Sequence, residues 1–248
     1  MEVQLVLVLL AVGFAAFVKG FVGFGFPLIS VPMVALLVDP KTAVITMSIP
    51  TILSNVVVLG QGEVPWSALR RAVPFMVTLL IGAVLGASLL PRLDPRVLAG
   101  VIGVVSVAFG GLSLVRVKLE VSPLAERYLS PLLGAVCGVL GGATTIYGPL
   151  VALYFQALRY EKWPFVYVIS VIFLGGTLAQ NVAFVALELY RPEIVLYGLA
   201  ACAPMLVGIQ LGLWVQRRVS LPVFQYAVLV VVVASGLNLI ARALPWGG

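Results

Sequence analysis

Lys19-Gly20-Phe21-Val22-Gly23-Phe24-Gly25-Phe26-Pro27 and Gly138-Val139-Leu140-Gly141-Gly142-Ala143-Thr144-Thr145-Ile146-Tyr147-Gly148-Pro149 decide how this chain is read. Each lies within a long apolar stretch, and each gathers glycines and a proline that weaken or interrupt a straight helix. Backbone freed from helical bonding at membrane depth persists only where protein or a watery cavity satisfies it. Paired interruptions at corresponding places in two halves of a chain are the sequence mark of a transporter's binding site.

The rest of the composition supports a membrane setting. Of 248 residues, 62% are hydrophobic and 10% charged, with a mean hydropathy of +1.18. A soluble domain cannot bury that apolar fraction, so lipid must be the solvent for most of the chain. The net charge of +6 then describes loops beside an anionic leaflet and not a nucleic-acid surface. The absence of histidine removes Ser-His triads, histidine proton relays and imidazole-held metals. No H-E-x-x-H, G-x-S-x-G or P-loop occurs, so neither an enzyme nor a cofactor is expected. Cys137 and Cys202 lie in apolar segments and read as packing residues. The start Met1-Glu2 lacks a basic leader and reads as the beginning of a first membrane segment.

Apolar segments run near 3–38, 42–60, 68–90, 97–115, 129–158, 164–187, 193–215 and 222–241. A spanning helix needs about 20 residues. The first segment as one helix would measure roughly 54 Å against a hydrocarbon core of about 30 Å. The expectation is that 3–38 and 129–158 each fold into two pieces that enter and return. The halves also correspond. Phe26-Pro27-Leu28 aligns with Gly148-Pro149-Leu150 and Ser48 with Ser170, both 122 residues apart. After a four-residue insertion, Asn55 meets Asn181, Gly82 and Gly86 meet Gly208 and Gly212, and Arg92 meets Arg218.

Positive charge tests the number of passes. If each long segment crosses once, Lys and Arg divide seven against seven between the two sides, and no orientation emerges. If each is a hairpin, one side gathers Arg70, Arg71, Arg116, Lys118, Arg127, Arg159, Lys162, Arg217 and Arg218. The other keeps Lys41, Arg92, Arg96, Arg191 and Arg242. Nine against five places loop 116–128 in the cytoplasm and both termini on the periplasmic or extracellular side. The expected fold is an all-α polytopic membrane protein of two inverted repeats. Residues 1–120 and 121–248 each form a broken, re-entrant helical hairpin plus three transmembrane helices, together one integral membrane domain.

The candidate site follows from the breaks. Short helices beginning near Pro27 and Pro149 would turn free N–H groups and positive dipole ends toward the protein centre, which suits an anion. The residues expected to line it are Lys19, Gly23, Gly25, Pro27, Ser30, Asn55, Thr144, Thr145, Tyr147 and Asn181. Lys19 has two placements open: an ammonium in a cavity, or a side chain snorkelling to the interface. Asn55 and Asn181 are amides at matching positions that need partners when buried. Gly82-x-x-x-Gly86 and Gly208-x-x-x-Gly212 read as close helix packing. Every carboxylate falls in a loop or at a segment end, which argues against a cation as cargo and weakens the case for proton coupling.

The stretch Lys19 to Pro27, continued by Leu28-Ile29-Ser30-Val31-Pro32, resembles the glycine-rich first segment of the sulfite exporter TauE/SafE family, also called the toluene-sulfonate uptake permease family. Gly138 to Pro149 resembles its second-half repeat, with Thr144-Thr145-Ile146-Tyr147 departing from a purely glycine-rich pattern. The resemblance implies a secondary transporter or facilitator for a small sulfur-containing anion such as sulfite, sulfoacetate or another organosulfonate, in a bacterial inner membrane. Its partners would be that anion and the lipid bilayer, with no nucleic acid. Two alternatives stand beside it: a thiosulfate-type or other inorganic-anion channel that uses Cys137, and a membrane scaffold without transport of its own.

Overall fold

The computed structural model describes residues 2–60, 62–114, 121–216 and 221–244. Among them are ten α-helices and no β-strand: α1 (Glu2–Val22), α2 (Phe26–Ala35), α3 (Pro40–Leu59), α4 (Trp66–Leu89), α5 (Pro95–Leu114), α6 (Pro123–Thr144), α7 (Gly148–Ala157), α8 (Lys162–Ala186), α9 (Pro192–Gln216) and α10 (Leu221–Ala243). Six of them are long and apolar enough to cross a membrane. Rows of exposed aliphatic side chains, such as Val77, Ile81, Leu85 and Leu89 on α4, give lipid an apolar face.

The two long apolar segments do fold back, but the arms of each hairpin are unequal. α1 has 21 residues and α2 only 10, about 31 Å against about 15 Å. The second hairpin repeats this with α6 (22 residues) and α7 (10 residues). Its long arm starts at Pro123, six residues before the apolar run, because Ser122 caps the helix by accepting from Ala125 N at 3.3 Å. The amide of Gln4 donates to Leu37 O, tying the start of α1 to the chain just beyond α2. α1 and α2 are thus antiparallel.

Side-chain contacts sort the helix ends onto two faces. On one, Lys41 reaches Pro91 O at 3.0 Å and Arg242 reaches Leu36 O at 3.1 Å. On the other, Arg71 clamps Glu126 through two hydrogen bonds (2.6 and 2.5 Å), and Trp163 Nε1 donates to Glu63 O at 2.9 Å. Arg116, Lys118, Arg217 and Arg218, four of the nine charges counted on one side, lie outside the described residues, as does 116–120 of the central loop.

Helix pairing follows a pattern that survives exchange of the halves. α1 packs on α9 as α6 packs on α4; α3 meets α9 as α8 meets α4; α3 meets α8, and α5 meets α10. Glycine makes the tightest of these contacts. A Cβ on Gly86 would lie 2.1 Å from Val139 O, one on Gly138 2.3 Å from Leu79 O, and one on Gly142 2.1 Å from Ala83 O. Across α1 and α9, Gly20 would meet Ile209 O at 2.3 Å and Gly212 would meet Phe17 O at 2.1 Å. Gly20, Gly138 and Gly142, counted in the sequence as part of the breaks, therefore serve backbone-to-backbone packing. Gly111 has nothing within 4 Å of its would-be Cβ.

Gly86→Ala is expected to lower the thermal midpoint of the purified protein in detergent, since α4 and α6 must separate; overpacking costs about 1–3 kcal/mol or more. Gly111→Ala is expected to leave it unchanged or raise it, because alanine favours helix by about 0.5–1 kcal/mol. Equal effects from the two would show that contact between the helices is not what the glycines provide.

Candidate functional site

The hairpin tips are built from different residues in equivalent places. In the first, Gly23 and Gly25 take φ of 98° and 97°, a left-handed backbone that only glycine adopts freely. The second puts Thr145, 122 residues after Gly23, at φ 62°. A β-branched residue there is strained by about 1–3 kcal/mol. The surroundings compensate. Thr145 Oγ1 donates to Val44 O at 3.1 Å and accepts from Gln180 Nε2 at 3.0 Å. Gln180 Nε2 also reaches Gly142 O at 2.8 Å. Gly23 faces Val166, which is 122 residues after Val44. Each tip thus docks on the first turns of the opposite half's central helix.

Each tip also joins the C-terminal end of a long helix to the N-terminal end of a short one. Opposite dipole ends meet there and largely cancel. The expected positive helix ends therefore amount to backbone donors without net charge. α2 has no side-chain cap, and neither has α7.

Lys19 lies in the last turn of α1 and is 3% exposed. It does not snorkel. Its Nζ donates to Asn55 Oδ1 at 2.6 Å and to Ser54 Oγ at 3.0 Å. Both partners are held as acceptors, because Ser54 Oγ and Asn55 Nδ2 each donate to Thr51 O (2.8 and 3.1 Å). Lys19 is the one charged side chain among the buried described residues.

The ten expected residues do not all meet at one point. Lys19 and Asn55 form one cluster with Ser54. Thr144 and Thr145 belong to a second with Gln180. Thr144 Oγ1 donates to Leu140 O at 2.6 Å and accepts from Ile146 N at 3.2 Å, closing the tip. Asn181 is only partly buried; it accepts from Ser48 Oγ at 3.1 Å and from Tyr190 OH, and donates to Thr177 O at 2.6 Å. The contacts of the two clusters on α3, Val44 and Asn55, are about 16 Å apart along the helix. Tyr147 is a packing residue: its ring fills the space left by Gly141, and its OH donates to Gly176 O at 2.9 Å. Pro27 is buried at the start of α2, and Ser30 on the same helix is buried with no hydrogen-bond partner among the described residues.

Two residues outside the ten expected ones complete the clusters. Ser54 shares the lysine with Asn55. Gln180 spans the second tip, and its Oε1 is buried without a partner among the described residues. The signal was available: Ser54 and Gln180 are related by the same offset of 126 that relates Asn55 to Asn181. Cys137 lies eight residues before the second tip in an apolar cluster with Phe75, Leu79 and Tyr147.

A helical protein with lipid-facing flanks, two half-length helices turned inward and buried polar groups at their tips has the build of a multi-pass membrane transporter. The chain belongs to the family described as Sulfite exporter TauE/SafE, which it matches over residues 8–239. No curated protein and no solved structure matches it.

Leaving a buried charged donor short of an acceptor costs about 1–3 kcal/mol or more. Asn55→Leu is therefore expected to destabilise the protein strongly. Lys19→Met with Asn55→Leu should recover much of that loss, as a double-mutant cycle in thermal stability would measure. Additive losses would show that the two side chains do not depend on each other.

Proposed function

We propose that this chain is a secondary transporter or facilitator that moves a small sulfur-containing anion across the bacterial inner membrane, the class including sulfite, sulfoacetate and other organosulfonates. The observation that carries the reading is the buried Lys19 ammonium, held by neutral oxygens of Ser54 and Asn55 with no carboxylate among the buried described residues. A cation would be repelled there, and an anion would be attracted. Thr144 and Thr145 on the other hairpin and Asn181 on α8 would serve the path, with Gly23, Gly25, Pro27 and Ser30 shaping the first tip. Family membership supports the class of cargo.

Residues 1–120 and 121–248 act in this reading as inverted repeats. The loop after α3 meets the start of α8, and this contact and the exchange-symmetric pairing of helices support it. Loop 116–128 would face the cytoplasm and both termini the periplasm. Alternating access would then rock one half against the other around the tips.

Purified protein in liposomes loaded with sulfite or a sulfonate is expected to show counterflow of labelled anion well above that of protein-free vesicles. Absence of movement for every such anion under any gradient would leave the scaffold reading in its place. In a background lacking Cys137 and Cys202, Glu63→Cys should react with an impermeant thiol reagent only from the cytoplasmic side and Asp94→Cys only from the periplasmic side. The reverse pattern, or both on one side, would overturn the proposed topology.

A further inference from the structure

We infer that the buried Lys19 balances one negative charge of a passing anion, so that the cargo is a monoanion, such as hydrogensulfite or a simple sulfonate, and not a dianion. This rests on the transport reading above and narrows its substrate class, setting sulfite dianion and sulfoacetate aside.

The argument is a charge balance. Lys19 is the one charged side chain among the buried described residues. Of the helices that pack against α1 or bond Lys19, α2 carries no ionisable side chain, and α3 has Lys41 close to its capping Asp39, both at the helix start. α9 has Glu193, which is exposed, together with Tyr197 and the partly buried Cys202. On α10, Arg242 is turned to Leu36 O at the surface end. None of these supplies a buried counter-charge. The hairpin tips add none either, since each brings a helix C-terminus and an N-terminus together.

Neutral donors can solvate an oxyanion without cancelling its net charge. Ser30 on α2 offers a buried hydroxyl that has no partner among the described residues. One ammonium and one monoanion make a neutral pair. A dianion leaves a full negative charge uncompensated in a medium of low dielectric, which is heavily penalised. Without an anion, Lys19 Nζ has neutral partners alone. Reorientation with an anion bound should therefore outpace reorientation without one, and exchange should outrun net flow.

The test uses the full-length protein in liposomes and labelled methanesulfonate. Unlabelled ethanesulfonate should compete with its entry at least tenfold better than ethane-1,2-disulfonate or sulfate. Methanesulfonate inside the vesicles should accelerate entry several-fold over empty vesicles. Lys19→Arg should keep the preference for monoanions. Lys19→Gln should lose monoanion entry at least tenfold while neutral dimethyl sulfone gains ground as a competitor. Dianions that compete equally with ethanesulfonate in the unaltered protein would overturn the inference and leave the transport reading intact, whether or not either variant folds. Failure of methanesulfonate, sulfite and every other probe to enter would overturn the transport reading and this inference with it.

Discussion

The contact on which this fold depends is between backbones. α4 and α6, like α1 and α9, approach so closely that the carbonyls of one helix lie where a side chain of the other would begin. In lipid there is little hydrophobic force to hold helices together, so packing of small residues must do it. The long arms of both hairpins are the helices held in this way. Their fixed positions carry the tips, and the tips carry the polar groups. Gly20 and Lys19 illustrate the coupling. Gly20 lies against the Ile209 carbonyl on α9, and its neighbour turns an ammonium toward α3.

The two halves use this scaffold differently. At positions related by 122 residues, the first half has Lys19 and Gly25 and the second has Gly141 and Tyr147. In the first, a long cationic side chain leaves the helix and the tip is small. In the second, the helix position is empty and an aromatic ring from the tip fills it. The partners change in step. Ser54 accepts from the lysine, while Gln180, at its equivalent position, donates to the Gly142 carbonyl and the Thr145 hydroxyl. One hairpin thus provides charge, and the other a hydrogen-bonded, strained turn. Like-built hairpins need not be chemically symmetric, and here the one charged side chain among the buried described residues lies on the first.

Much of the fold was legible in the sequence. Apolar segments too long for one crossing, with clustered Gly and Pro, implied hairpins, and the hairpins are present. The ordered correspondences between the halves relate helices whose contacts are alike, as α1 on α9 and α6 on α4. The candidate site was less legible. A list of polar residues near breaks does not say which oxygen faces which nitrogen, so Asn55 and Asn181 looked alike although one holds Lys19 and the other Tyr190. Glycine was ambiguous for a related reason: the same residue that frees a turn at Gly23 admits a neighbouring backbone at Gly138.

By itself, then, the sequence determined the solvent, the helical class, the broken segments and the lack of buried carboxylates among the described residues, because these follow from composition and from the geometry of a single chain segment. Only the tertiary structure decided that Lys19 turns inward, that the tips cancel their own dipoles and that the polar residues form two clusters along α3. Those outcomes depend on the distance between helices remote in sequence. That distance is set by glycine contacts whose partners no local pattern names.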